Sequence, residues 1–139
     1  MRISVVIPTL NEAATIAGTL RRLSGQGADE VIVVDASSPD GTATLARSAA
    51  VVVVDSPRGR GAQQNRGAAA ASGDVLVFLH ADCRLEDCIV SAGVRIGAGS
   101  TVNGGAVLGE GVTVGAGNVL TRGIRIFPGT ALADEAIRF

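Results

Sequence analysis

The segment SPRGRGAQQNRG, residues 56–67, alternates glycine and arginine just before a predicted helix. Backbone N–H groups at a helix start bind anions, and arginine guanidinium groups form paired hydrogen bonds with phosphate oxygens. Arg58, Gly59 and Arg60 could therefore hold a diphosphate. A glycine–arginine loop is weak support on its own, so its meaning depends on the elements around it.

Asp35 is a second candidate, because it ends the apolar run VIVV. An acidic residue at the carboxyl end of a parallel strand lies at the crevice where open α/β sheets bind ligands. Asp40 follows five positions later and has two open interpretations. It could belong to the same site, or it could simply cap the next helix.

These residues need a parallel sheet to position them, and residues 1–85 have the pattern of one. Short apolar runs rich in β-branched residues predict strands buried on both faces at 3–7, 31–35, 50–54 and 75–79. Helical patterns lie between them, and Asn11 is the predicted cap of the first. The order β-α-β-α-β-α-β predicts an α/β fold with a Rossmann-like parallel sheet.

A different pattern begins after Leu85. Aliphatic residues recur every six positions from Val90 to Leu132, and glycines recur with the same period from Gly93 to Gly129. Neither a helix nor an ordinary strand has this period, whereas a triangular coil with six residues per side does. Glycine suits the tight corners because it readily adopts positive φ. Residues 86–139 are therefore predicted to form a short left-handed parallel β-helix of hexapeptide repeats.

A segment of this length holds slightly fewer than three coils, which is close to the minimum for stability. We therefore expect a homo-oligomer, either a dimer or a trimer. The segment resembles the C-terminal β-helix of sugar-phosphate nucleotidylyltransferases, particularly over VLTRGIRIFPGTALADEAIRF. Hexapeptide acyltransferases share the fold but typically use a His on the coil. Residues 86–139 contain no His, which disfavours that alternative.

Residues 1–85 resemble the N-terminal, nucleotide-sugar-binding half of a family-two glycosyltransferase of the GT-A fold. Four segments carry this resemblance, in the family's order: VVIPTLNEAATI, VIVVDASSPDGT, SPRGRGAQQNRGAAAASGD and VLVFLHADCRL. The third contains the pattern GRxxQxN, which is far more specific than a glycine-rich loop.

The resemblance implies a nucleoside diphosphate sugar as ligand, together with a divalent metal, Mn²⁺ or Mg²⁺. The nucleotide-binding residues that it implies are Pro8, Thr9, Asn11, Glu12, Asp35, Ser37, Asp40, Arg58, Gly59, Arg60, Gln63, Asn65 and His80. Asp35 would accept hydrogen bonds from the nucleobase. Asp82 would bind the metal, which bridges the diphosphate and stabilises charge on the leaving nucleotide. His80 would support the metal as a ligand or donor, with a purely structural role as the alternative.

The implied reaction is glycosyl transfer to an unknown acceptor. The family also needs a second half after the metal motif, which supplies acceptor binding and usually a carboxylate base. Here Leu85 runs directly into the β-helix, so the catalytic residues stay unassigned, and the strand at 75–79 has an apolar edge that needs a cover. One alternative is a non-catalytic nucleotide-sugar-binding module oligomerised by the β-helix. Another is a natural or engineered chimera of two incomplete parents.

Composition sets further limits. The formal net charge is −1, which favours neither nucleic acid nor an anionic membrane as a partner. No apolar run approaches the ~20 residues that span a bilayer. Cys83 and Cys88 predict reduced thiols rather than a disulfide framework. We therefore expect a cytoplasmic protein without a transmembrane segment.

Overall fold

The structure is a computed structural model that describes residues 1–138, and it divides into two compact units, Met1–Ala81 and Asp82–Phe139. The division falls four residues before the boundary expected from the sequence. The reason is the short strand Arg84–Leu85, which pairs in parallel with Thr101–Val102 and so belongs to the second unit.

The first unit is a four-stranded parallel sheet with three helices. Its elements are β1 Ile3–Thr9, α1 Ile16–Leu23, β2 Glu30–Asp35, α2 Thr42–Ser48, β3 Val52–Asp55, α3 Arg60–Ala70 and β4 Val75–Phe78. The strand order is β3-β2-β1-β4, which is the Rossmann-like arrangement predicted from the sequence. The order reverses between β1 and β4, so a crevice is expected where the carboxyl ends of these two strands diverge.

The core of this unit lies between the sheet and its helices. Val6, Ile32 and Val34 form a buried cluster of β-branched side chains against which helix α3 packs. The helix approaches closely through Gly67, where a Cβ atom would overlap Val6 Cγ1 and lie 3.0 Å from Val34 Cγ2. The absence of a side chain at residue 67 therefore sets the distance between α3 and the sheet.

The predicted cap at Asn11 is wrong. The residue that precedes α1 is Thr15, and the carbonyl of Glu12 accepts hydrogen bonds from the N–H groups of Thr15 and Ile16 at 3.0 and 2.9 Å. A turn between Glu12 and Thr15 therefore separates Asn11 from the helix. Asn11 adopts a left-handed conformation with φ 58°.

The second unit is the left-handed β-helix predicted from the six-residue period. Its strands are β5 Arg84–Leu85, β6 Cys88–Val90, β7 Arg95–Ile96, β8 Thr101–Val102, β9 Ala106–Leu108, β10 Thr113–Val114, β11 Val119–Leu120, β12 Arg125–Ile126 and β13 Ala131–Leu132. They form three parallel sheets, β5-β8-β11, β6-β9-β12 and β7-β10-β13. The periodic glycines from Gly93 to Gly129 all have φ between 66° and 78°, as the corners require.

Two features hold neighbouring coils together. Val102, Leu108 and Leu120 are buried inside the coil with no exposed surface. Asn118 is equally buried, and its amide donates to the carbonyls of Gly115 and Ala133 while its oxygen accepts from the N–H of Ile137. This side chain therefore satisfies backbone groups that would otherwise be left unpaired at the end of the coil.

No disulfide joins Cys83 to Cys88 within the described residues. Among residues 1–138, no helix has both the length and the apolar character that a membrane crossing demands. The cytoplasmic location stays a prediction.

Candidate functional site

A cleft lies at the carboxyl edge of the sheet, where the strand order reverses. It has a volume of about 370 Å³ and is lined by Pro8, Thr9, Leu10, Glu12, Gly59, Arg60, Gln63 and His80. These residues come from the end of β1, the start of α3 and the segment after β4. Seven of the eight belong to the nucleotide-binding set predicted from the sequence, Leu10 being the addition.

Gln63 is the buried residue in the lining of this cleft that connects helix α3 to the sheet. Its side chain is buried, and its Nε2 donates to the carbonyls of Thr9 at 2.8 Å and Val34 at 2.9 Å. The amide therefore ties helix α3 to the ends of β1 and β2. Arg60 and Gly59 stand at the start of the same helix, where N–H groups and a guanidinium group can face an anion.

Asp35 is the centre of a hydrogen-bond network at the end of β2. It is only 1% exposed. Its Oδ1 accepts from the hydroxyls of Thr9 at 2.9 Å and Ser38 at 2.6 Å, and its Oδ2 accepts from the N–H of Ser38 at 2.8 Å. The Ser38 hydroxyl also accepts from the N–H of Asn11 at 2.9 Å. The carboxylate thus holds the β1–α1 loop against the β2–α2 loop.

Asp40 makes a second connection between these loops. Its carboxylate accepts from the N–H of Ala13 at 2.9 Å and from the N–H of Thr42 at 3.0 Å. The Thr42 hydroxyl donates to the same carboxylate and is the main reason why the pKa of Asp40 lies below its ordinary value. The Glu12 N–H donates to Thr42 Oγ1 at 2.9 Å. The N-cap position of α2 is occupied by Gly41, without a side-chain cap hydrogen bond, so Asp40 lies one residue outside the cap and connects the two loops instead.

The remaining predicted residues do not line the cleft. Asn11, Ser37, Arg58 and Asn65 are exposed, and Asn11 and Ser37 share a left-handed backbone conformation at the ends of β1 and β2. Their nucleotide-binding roles stay predictions, as do those of Asp35 and Asp40.

His80 is half-buried and lines the cleft, whereas Asp82, two positions later, is exposed and belongs to the second unit. No group of three or more His, Cys, Asp or Glu side chains in residues 1–138 is arranged to hold a metal ion. Any metal at Asp82 would therefore need most of its ligands from elsewhere.

Sequence reasoning missed three hydroxyl residues that organise this edge. Ser38 and Thr42 connect the two loops. Thr19, on the buried face of α1, donates its hydroxyl hydrogen to the carbonyl of Ala81, the residue between His80 and Asp82. The available signal at Thr19 was a polar residue next to Ile16 and Leu20 on an otherwise apolar helix face.

An open parallel sheet with a cleft at its strand reversal defines a Rossmann-like class of architecture. A family model described as Glycosyl transferase family 2 matches residues 4–89, more than half of the chain. The chain belongs to this family. A second model, Bacterial transferase hexapeptide (six repeats), matches residues 77–122. These matches confirm the predicted order of a glycosyltransferase part followed by hexapeptide repeats.

Known proteins support the same family. The chain is 34% identical over 112 residues to glycosyltransferase AglE of Haloferax volcanii, covering 73% of this chain and 37% of that protein. It is 35% identical over 92 residues to glucosyl-3-phosphoglycerate synthase of Mycolicibacterium smegmatis, covering 58% of this chain and 30% of that protein. This chain thus spans about a third of the length of these relatives.

A solved structure gives the same picture. It is glucosyl-3-phosphoglycerate synthase from Mycobacterium tuberculosis in complex with Mn²⁺, uridine diphosphate and glucosyl-3-phosphoglycerate. The sequence identity is 36% and the TM-score 0.55, over 58% of this chain and 33% of that one. Another structure of that enzyme holds Mg²⁺ and uridine diphosphate.

Proposed function

We propose that the first unit binds a nucleoside diphosphate sugar for glycosyl transfer to an acceptor. The observation that carries this proposal is the cleft at the β1–β4 crevice. It brings together Pro8 and Thr9, Gly59 and Arg60, and His80, which come from three distant segments of the chain. The relatives add a specific first candidate, a uridine nucleotide, because the M. tuberculosis enzyme binds uridine diphosphate.

The chemistry of the cleft suits a diphosphate. Arg60 carries a permanent positive charge and begins helix α3, whose first N–H groups have no partners within the helix. Gln63 fixes the helix to the sheet, so these donors are held in place before the ligand arrives. We propose that Asp35 and Asp40 serve the nucleotide by holding the two loops beside it. A direct contact between Asp35 and the base stays a prediction.

A divalent metal at Asp82 fits the residues present. Mg²⁺ in nucleotide sites commonly uses one or two carboxylates and takes its other ligands from phosphates and water. An exposed carboxylate two residues after the cleft-lining His80 matches that pattern better than a closed protein cage. When bound, the metal would stabilise negative charge on the departing diphosphate. The residues of this chain hold the nucleotide, and Arg60 neutralises further phosphate charge.

The alternative is nucleotide-sugar binding without turnover. The observation that favours it is the start of the hexapeptide coil directly after the His80-Ala81-Asp82 segment, at Arg84. Among residues 1–138 no catalytic base is assigned. Metal-dependent hydrolysis or transfer from a uridine diphosphate sugar would exclude this alternative.

We also propose that the β-helix assembles the chain into a homo-oligomer. Ile89, in strand β6, is 63% exposed, and Phe127, directly after strand β12 of the same sheet, is 78% exposed. Large apolar side chains in such positions favour a partner surface. Light scattering that finds a monomer at micromolar concentration would contradict this proposal.

The donor-site proposal is tested by titrating uridine diphosphate calorimetrically, with Mn²⁺ and with EDTA. We expect Mn²⁺ to strengthen binding, and we expect Asp82→Asn to remove most of that gain. Glu110→Gln is the control, because Glu110 is an exposed carboxylate on the β-helix and its replacement removes the same charge. Equal behaviour of Asp82→Asn and the wild type would show that the metal assignment is wrong.

A further inference from the structure

We infer that Thr19 is a positioning residue for Asp82, acting through the backbone of Ala81, an inference that rests on the proposed metal-dependent nucleotide binding. Thr19 is 2% exposed on helix α1. Its hydroxyl donates to the Ala81 carbonyl and accepts from Nη2 of Arg22 at 3.1 Å. Because the hydroxyl has both a donor and an acceptor partner, its direction is set.

The segment after β4 is held at two points within the first unit. The N–H of Leu79 donates to the carbonyl of Val6 at 2.9 Å, which continues the sheet ladder one residue past the end of the strand. Two residues later, Thr19 holds the carbonyl of Ala81, which is itself 1% exposed. His80 lies between these points and lines the cleft. The sheet and helix α1 therefore both determine the path of this segment.

The bond to Ala81 reaches Asp82 through covalent geometry. The peptide group is planar, so the carbonyl of Ala81 shares one plane with the nitrogen and Cα of Asp82. A hydroxyl that restricts the direction of this carbonyl therefore also restricts the positions open to the Asp82 Cα. The backbone that carries the Asp82 carboxylate is then restricted before the metal binds. Less conformational entropy is therefore lost on binding.

Hydrogen-bond partners one step removed from a metal ligand have measurable effects, because they orient it. Removal of a group that bonds directly to a ligating side chain typically lowers metal affinity by about ten- to a hundredfold. Thr19 bonds to the neighbouring peptide group instead, so a smaller loss is expected. A merely structural role for Thr19 predicts something different. It would lower the stability of the unit and weaken nucleotide binding equally with and without metal.

The decisive variant is Thr19→Val, which keeps the β-branched shape and removes the hydroxyl. We expect a loss of about three- to tenfold in uridine diphosphate affinity in Mn²⁺, at or below the lower end of the range for direct partners, and unchanged affinity in EDTA. Thr19→Ser restores the hydroxyl and should return the Mn²⁺ affinity close to that of the wild type. An equal loss in Mn²⁺ and in EDTA, or no rescue by serine, would overturn the inference.

Two further results keep the test informative. If circular dichroism shows that Thr19→Val does not fold, Arg22→Met replaces it, since it removes the donor to Thr19 Oγ1 from a partly exposed site. It should weaken binding in Mn²⁺ alone, to a smaller extent, and an unchanged affinity would count against the inference. If the wild type itself shows no Mn²⁺-dependent binding, the proposed function fails. If the wild type shows it and Thr19→Val matches the wild type, only the role of Thr19 fails.

Discussion

Replacing Gly67 by alanine adds one methyl group at the tightest point between helix α3 and the sheet. The new Cβ would overlap Val6 Cγ1 and stand 3.0 Å from Val34 Cγ2. Both valines are fully buried, and β-branched side chains have few alternative rotamers. The helix therefore has to move outward, because the side chains cannot.

Two opposing effects determine how much Gly67→Ala changes the free energy of unfolding. Alanine in a helix is favoured over glycine by about 0.5–1 kcal/mol. Overpacking of a buried site typically costs about 1–3 kcal/mol, and the overlap here places it at the upper end. We therefore expect Gly67→Ala to lower the free energy of unfolding by about 2 kcal/mol. Gly61→Ala is the matched control in the same helix, where a Cβ meets nothing within 4 Å. It should raise stability slightly.

Urea denaturation followed by circular dichroism at the helical band is the suitable assay. The chain has no Trp or Tyr, so their fluorescence cannot follow unfolding. All helices within residues 1–138 belong to the first unit, so the helical signal reports that unit.

A Gly67→Ala protein as stable as the wild type, or more stable, would refute the packing argument. A double-mutant cycle with Val6→Ala provides a second test, because that substitution removes the methyl group in the overlap. We expect the two changes to be coupled by about 1 kcal/mol or more, so that Gly67→Ala costs less when Val6 is alanine. If the effects of the two substitutions on the free energy of unfolding are additive, overlap with Val6 is not the cause of the destabilisation.

Three further predictions concern other parts of the chain. Asp35→Asn should weaken binding of uridine and adenosine diphosphates by the same factor, because the carboxylate holds the loop; a loss restricted to one base in calorimetry would instead show a direct base contact. Glu30 has a pKa below its ordinary value of 4.5, chiefly because Ser4 donates to it, so its stabilising contribution is present above that pH and is lost as the pH falls. The difference in urea midpoint between the wild type and Glu30→Gln should therefore disappear in acid, and a constant difference from neutral pH to acid would contradict this. In the β-helix, Gly115→Ala should lower the thermal midpoint, because its Cβ would lie 2.5 Å from Asp134 N. Gly123→Asn should have little effect, because its space is open and Asn tolerates positive φ; equal midpoints for both variants would contradict the coil-spacing argument.

The elements and the fold class can be predicted from local patterns in the amino-acid sequence. The six-residue period identified the β-helix because every coil repeats the same local requirement, an inward aliphatic residue and a glycine with positive φ. The β-branched runs identified the parallel strands for a similar reason, since strands buried on both faces are apolar along their whole length. Both signals are local, so they are visible without any knowledge of which residues meet. The family resemblance then selected Gln63, Arg60 and His80, which the cleft brings together.

The contacts of these side chains become visible in the folded protein alone. The Asp35 carboxylate accepts hydrogen bonds from Thr9 and Ser38. The Gln63 amide donates to two carbonyls at the ends of different strands. Thr19 bonds to a carbonyl 62 positions away. Nothing in the spacing of residues along the chain specifies such pairs, because they depend on how the helices are placed against the sheet. That placement follows from close packing at sites such as Gly67, where a single atom determines the distance between two elements.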